Sequence, residues 1–396
     1  MATRKEVAEL AGVSEATVSR VMNGVGPMKE ETRRRVADAA ARLGYQLNAL
    51  ASGFAKGRSG NIGVVLPHVP KVRMFSTYYF SEILSGIGDA LHQAGYGLLL
   101  LYRNPRERYD YVSLYRTRRV DACLILGASS LPEEQASVHA LADAGLPACI
   151  VDQRFEPRGR DIPFVGADHR AGAYAAARHM LDTGRRSLGF LNGSPHYSNS
   201  ADRYDGYLAA LADAGLAPDP DLLFEGNYSR TSGYEAAGAI ADRLDRLDGL
   251  MCANDRMAIG AIQGLRERGI DVPDRLPVIG YDNADASSLT DPPLTTVEVP
   301  FYEMGRLAAE TALGMLSGDA GEDGPAAALQ GGPAAASQSG HGGSALPDDA
   351  AGAGSPDNLE DIAPPDGPAA VSSPGGAART TGGLLLPTRL IIRRSC

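Results

Sequence analysis

The sequence contains no run of 18 or more apolar residues, and its start, MATRKEV, carries no apolar signal core. Neither a membrane span nor export is expected from it, and the chain reads as cytoplasmic. Cysteine is scarce: Cys123, Cys149, Cys252 and Cys396 lie far apart, and the first three sit inside apolar, strand-like runs. That spacing excludes a disulfide framework or a cysteine metal site and leaves core thiols. The patterns GxxxxGKS/T, HExxH, GxSxG and CxxC are missing, and the seven histidines show no metal-ligand spacing. A phosphate loop, a zinc hydrolase and a serine-hydrolase elbow are therefore not expected, and neither is any cofactor or metal.

What is present is an uneven charge. The 396 residues carry 38 basic and 48 acidic side chains, net -10. Residues 1–60 hold ten Lys/Arg against six Asp/Glu, a local excess of +4, so the remaining 336 residues carry -14. Exposed charges more than about 8 to 10 Å apart are largely screened, so a polyanion would be drawn to the small basic head and not to the acidic body.

Between residues 61 and 316, short apolar runs (IGVVL, YGLLLLY, DACLIL, ACIV, SLGFL, GLMCA, PVIGY) alternate with helical stretches. Near-continuous apolar strands separated by helices mark parallel sheets covered on both faces, and this length favours two α/β lobes with a cleft between them. Ligands of such folds sit at the carboxyl ends of the strands. Residues 317–383 are mostly Ala, Gly, Pro and Ser, with nine acids, one Arg and no aromatic. Such a composition cannot bury enough apolar surface to offset its ordering entropy, so a disordered insertion is expected there, followed by a final strand over 384–396.

The head, residues 1–46, differs. TRKEVAELA is helical, Ala11-Gly12-Val13 forms a turn, and Ser14 is placed to cap a second helix, EATVSRVMN. Ala8, Gly12 and Val18 have the spacing that two helices crossing at a tight corner require. A third helix over about 30–43 places Val36, Ala39, Ala40 and Leu43 on one face. A purely structural corner would share this spacing; the basic side chains and the polar second helix favour a helix-turn-helix. Its second helix then enters the major groove, where Arg20 can bond guanine, Glu15 can accept from cytosine or simply stabilise the helix dipole, and Ala16 can touch a thymine methyl. Thr3, Thr17, Ser19 and Asn23 suit phosphate contacts.

TRKEVAELAGVSEATVSRVMNG, ETRRRVADAAARLGY and NALASGFAKGRSGNIGVV closely resemble the head, hinge and first strand of the lactose/galactose repressor family of bacterial transcription regulators. The likeness continues through VDACLIL, LPACIVDQR, RYDGYLAAL, CANDRMAIGAI, VIGYDN and PPLTTV, and resumes at LLPTRLIIRRS. The resemblance implies an α/β chain with a helix-turn-helix head, a hinge helix and linker over 47–60, and a two-lobed core like the periplasmic binding proteins. It implies a homodimer or tetramer on a pseudo-palindromic double-stranded operator, and a repressor responding to a small effector, in most such cores a sugar. Ser14, Tyr45, Asn48 and Lys56 join the DNA-contacting set, and Phe54 takes the position of the Leu that usually wedges the minor groove. Two departures are the uncapped start Met28-Lys29-Glu30 of the third helix and Leu47 where a Pro is usual. The hinge, 48–56, is too short to be helical alone and is expected to fold on DNA.

For the effector, the resemblance places Tyr79, Phe80, Asp152, Tyr197, Asn199, Arg203, Tyr228 and Asp255 in the cleft, with Arg203 and Asp255 on opposite sides. Acids and Arg would bond hydroxyls while aromatics stack on a flat face. Core packing is an alternative for Tyr79, Phe80 and Tyr228, and a strand-end cap for Asp152. The rival from another class is a cytosolic binding protein or enzyme on the same two-lobed fold, with the head as an appendage.

Overall fold

The computed structural model describes residues 2–24, 26–45, 58–68, 74–155, 161–318, 370–372, 377–380 and 382–396. Most of the hinge, with Asn48, Phe54 and Lys56, and most of the expected insertion lie outside these residues.

The head has three helices, α1 (Arg4–Ala11), α2 (Glu15–Met22) and α3 (Glu30–Leu43). Thr3 opens α1 with a reciprocal cap: its Oγ1 accepts from Glu6 N at 3.3 Å while its own N–H donates to Glu6 Oε2 at 2.7 Å. Gly12 follows in the left-handed region, φ +64°, which lets the chain turn at once into Ser14, whose Oγ accepts from Thr17 N. Lys29 opens α3 without a side-chain cap. Val7, Ala8, Ala11, Val18, Val36, Ala39 and Ala40 form the buried centre. Leu43, expected on that face, is exposed; Tyr45, beyond the end of α3, packs there instead.

The core begins with β1 (Asn61–Pro67), then α4 (Tyr78–Gln93), β2 (Gly97–Arg103), α5 (Tyr111–Arg116), β3 (Ala122–Leu126), α6 (Pro132–Asp143), β4 (Ala148–Val151) and β5 (Phe164–Ala167). The chain continues as α7 (His169–Asp182), β6 (Leu188–Asn192), α8 (Ser198–Asp213), β7 (Leu223–Glu225), α9 (Arg230–Ala241), β8 (Gly249–Cys252), α10 (Asp255–Arg266), β9 (Val278–Ile279), α11 (Asp285–Ser288), β10 (Thr296–Glu298) and α12 (Phe301–Ser317). It ends with β11 (Ala370–Ser372), β12 (Ala378–Thr380), β13 (Gly383–Leu386) and β14 (Arg389–Ile391).

The first lobe is a seven-stranded sheet in the order β12-β13-β5-β4-β3-β1-β2, parallel apart from β12. Ile62, Val64, Val65 and Leu66 of β1 are wholly buried, as a strand covered on both faces must be. The second lobe carries the parallel sheet β7-β6-β8-β9 and the antiparallel set β10-β14-β11. Among the described residues the chain passes to the second lobe after β5 and back between β10 and α12, joins the second-lobe set again at β11, returns at β12, and crosses a last time between β13 and β14. Helix α12 returns to the first lobe and packs on α4 so closely that a Cβ on Gly86 would lie 1.9 Å from the Tyr302 carbonyl oxygen.

The carboxyl-terminal run corrects two expectations. LLLPTRLIIRR is not one strand: β13 pairs with β5 in the first lobe and β14 with β10 in the second. Pro387, which has no N–H to donate, stands where the ladder stops and the chain crosses. The stretch expected as one insertion, 317–383, begins with the last residue of α12 and carries β11, β12 and the first residue of β13.

Candidate DNA-reading face and effector cleft

On α2, Glu15, Ala16 and Arg20 are exposed, while Val18 is buried in the centre of the head as the corner spacing predicts. Glu15 is held by Arg4 of α1, carboxylate to Nε at 3.3 Å. That pairing adds a third role to the two read from its sequence position. The hydroxyls of Ser14 and Thr3 are engaged in their helix caps, and Asn23 Nδ2 donates to the Ser19 carbonyl at 2.7 Å, closing the end of α2.

The cleft lies at the carboxyl ends of the first-lobe strands. Buried Arg103, ending β2, donates through Nε to Glu134 and through its Nη atoms to the carbonyls of Val65, Leu126 and Gly127. Glu134 also accepts from Ser129 N at 3.0 Å. This satisfied network fixes the loop after β3 against α6.

Asp152 follows β4 in the left-handed region, φ +62°, and projects across to the second lobe. Its Oδ1 is 2.6 Å from His169 Nε2 at the start of α7, and its Oδ2 accepts from Asn199 Nδ2 of α8 at 2.8 Å. Burial pushes its carboxyl up, but His169, Arg203 and Asn199 outweigh it and hold the group below the usual range. Arg203 is 2 % exposed; its Nη1 donates to the Ala253 carbonyl at 2.7 Å and its Cζ sits 4.2 Å from the Tyr281 ring centroid. Tyr228 lies beside it, with its ring 5.8 Å from the guanidinium and its hydroxyl bonded to Ser200. Tyr197 stands edge-on to Tyr228 at 6.1 Å. Tyr79, from α4, packs edge-to-face on Phe80 and Phe301, and its buried hydroxyl has no hydrogen-bond partner among the described residues.

Six of the eight expected effector residues thus border one interlobe region, and Phe80 packs on one of them, Tyr79. Asp255 does not. It belongs to the same lobe as Arg203, is wholly buried, and has both oxygens occupied, by Thr296 Oγ1 at 2.6 Å and Ala284 N at 2.8 Å. Burial pushes its carboxyl up to about 7, and its role is to tie the 280–284 loop to β10. The acid beside Arg203 is Asp282, Oδ1 to Nη2 3.9 Å, raised by burial and by Asp255 and Asp152 nearby. Asp282 was legible as an acid at a strand end, in VIGYDN, but not as the neighbour of Arg203; His169 carried no signal beyond following the apolar run FVGA.

Beside this cluster, bounded by Ser129, His139, Arg154, Phe155, Phe164 and Tyr197, is a cavity of about 730 Å³. Direct contacts close the lobes along its edge: Arg154 pairs with Asp202, Gln153 Oε1 accepts from Ser198 N at 2.8 Å, and Ser130 N donates to the His196 carbonyl.

Residues 3–48 match the family model described as bacterial regulatory proteins, lacI family, and residues 177–330 match that of the periplasmic binding protein-like domain. The chain is 32% identical over 310 residues to the HTH-type transcriptional repressor PurR of Mannheimia succiniciproducens, covering 78% of this chain and 90% of that one. The chain belongs to the lacI family. Members of known structure that it resembles include the transcriptional regulator CelR bound to cellobiose, at 27% identity and a TM-score of 0.58, over 81% of this chain and 95% of that one. The fold also matches the lac repressor dimer bound to operator and the anti-inducer ONPF, with a TM-score of 0.72 over 100% and 98% of the two chains at 23% identity. As a lacI-family protein, it is a DNA-binding transcription regulator with a periplasmic-binding-protein-like core.

Proposed function

We propose that this chain is a cytoplasmic repressor, acting as a homodimer on a pseudo-palindromic operator, whose DNA affinity is set by a small polyhydroxylated effector held between the core lobes. The observation that carries this reading is the meeting of Asp152 from the first lobe with Asn199, Arg203 and Asp282 from the second, beside the Tyr79 hydroxyl, which has no partner among the described residues. The Asp282 carboxyl and the lone pairs of Asp152 left over by His169 and Asn199 can bond hydroxyls and one guanidinium can donate, while Tyr228 and Tyr197 offer faces to a ring. An effector bonding both lobes favours closure, and it acts on DNA only through a difference in affinity between the two states. The matched relatives are named as regulators, which supports a binding core over a catalytic one.

The deciding experiment is a mobility shift on the DNA upstream of the protein's own gene, with a panel of sugars. The parent is expected to bind and one sugar to change the affinity. Arg203→Ala should bind DNA as the parent does and lose the sugar response, because it removes charged hydrogen bonds worth about 1.5 to 3 kcal/mol, roughly ten- to a hundredfold in effector affinity. An unaltered response in Arg203→Ala would refute this site.

A further inference from the structure

One imidazole touches the charged groups that face the cleft from the two lobes. His169 is the first residue of α7, immediately after the chain has crossed from β5 into the second lobe, and it is 2 % exposed. Its Nε2 lies 2.6 Å from Asp152 Oδ1. Its Nδ1 lies 3.4 Å from Arg203 Nε and 3.3 Å from Arg203 Nη2. The Tyr281 hydroxyl, 3.4 Å from Nδ1, donates to the His169 carbonyl at 3.2 Å.

These contacts fix the direction of the ring's hydrogen bonds. A guanidinium carries donors and no acceptor, so the nitrogen facing Arg203 must present its lone pair. The hydrogen then sits on Nε2 and is donated to the carboxylate of Asp152, a charge-assisted bond inside a buried site. With Asn199 on the other oxygen, Asp152 of the first lobe is gripped wholly by second-lobe side chains. His169 thus links the first crossover to Asp152 and to Arg203, which is held as well by the Ala253 carbonyl.

We propose that His169 is the positioning residue of the effector site: it orients Asp152 by donation from Nε2 and Arg203 by acceptance at Nδ1, and so couples the two lobes at the first crossover. The proposal rests on the reading of Asp152 and Arg203 as effector-binding, but its test needs no effector. Hydrogen exchange is measured on the full-length, effector-free protein over residues 149–155 for the parent, His169→Gln and His169→Phe. Gln keeps a donor and an acceptor on one planar group; Phe keeps the volume and neither. Protection in the Phe variant is expected to fall roughly tenfold or more, as loss of a hydrogen bond to a charged group implies, while the Gln variant stays within about threefold of the parent. Equal protection in Phe and parent, or a Gln variant as unprotected as Phe, would overturn the proposal, since the ring would then only fill space.

A second measurement reads the tautomer directly. In nitrogen-15 spectra of histidine-labelled protein, the signal lost in His169→Gln should show a protonated Nε2 and a lone-pair Nδ1. A hydrogen on Nδ1 would defeat the assignment. Failure of the effector reading itself would appear elsewhere, as an unchanged sugar response in Arg203→Ala, and would leave both His169 measurements intact.

Discussion

Arg154, beyond β4 in the first lobe, and Asp202, on α8 of the second, form a two-pronged ion pair across the interlobe boundary. The Arg154 side chain is 43 % exposed and that of Asp202 10 %. The pair exists only while the lobes are together, so it adds to the stability of the closed state and of any ligand complex that requires closure. Its half-exposed side limits the gain by solvent screening.

Arg154→Ala and Asp202→Asn are accordingly expected to weaken effector binding by up to about fivefold, by making closure less favourable, with the loss shrinking as salt is raised. Titration calorimetry with the sugar identified by the mobility shift, at low and high salt, measures this. Identical affinities in parent and variants would show that the ion pair does not report on closure.

The pH dependence of folding should carry a signature of Asp255. Its folded carboxyl, lifted by burial to about 7, exceeds its ordinary value of 3.8. Between those values the folded state holds a proton that the unfolded chain releases, so the stability this group contributes is present in acid and is lost as pH rises through about 7. Asp152, held below the ordinary range, acts oppositely, contributing stability above about 4 that disappears in stronger acid. The melting temperature of the parent relative to Asp255→Asn is therefore expected to decline from pH 4 to pH 7.5. A constant difference across that interval would count against a raised carboxyl at this position.

Much of the fold was legible because its signals are local. The β1 run IGVVL announces a strand buried on both faces, and Gly12 and Ser14 write the tight corner of the head into a few residues. The cleft was legible where a motif ends a strand or fills a helix face, as with Asp152 and Arg203. It failed at adjacent residues: of Asn254 and Asp255, which start α10, sequence cannot say which side chain turns inward, and here Asn254 caps the helix while Asp255 bonds β10. Asp282 lies on a loop whose φ of +112° no pattern announces. The final run read as one strand because its apolar character is continuous; that β13 and β14 join different lobes is a tertiary fact.

The contact between α4 and α12 makes a sharper test of packing than a cavity mutation would. Gly86 and Gly305 meet the opposite helix backbone, at 1.9 Å from the Tyr302 oxygen and 2.1 Å from the Ile83 oxygen for an added Cβ. Backbone cannot yield as a flexible side chain would, so the helices must separate. Gly86→Ala should cost about 1 to 3 kcal/mol, which denaturant unfolding would measure, although alanine favours an isolated helix by up to about 1 kcal/mol. A variant as stable as the parent would mean that the two helices slide apart freely.

The last prediction concerns Arg20, exposed on α2 with the rest of that helix anchored through Val18. If Arg20 reads a base, its removal should separate specific from non-specific binding. A bidentate contact to guanine discriminates by about 1 to 3 kcal/mol, whereas each neutralised phosphate adds about -0.9 to the slope of log K against log salt for any sequence. Arg20→Ala is thus expected to lose affinity for the operator about five- to a hundredfold, lose little on random DNA, and keep a similar salt slope. Mobility shifts at two salt concentrations on both DNAs make the comparison. Equal losses on operator and random DNA, together with a slope shallower by about one phosphate, would assign Arg20 to the backbone and leave base reading to its neighbours on the same exposed face.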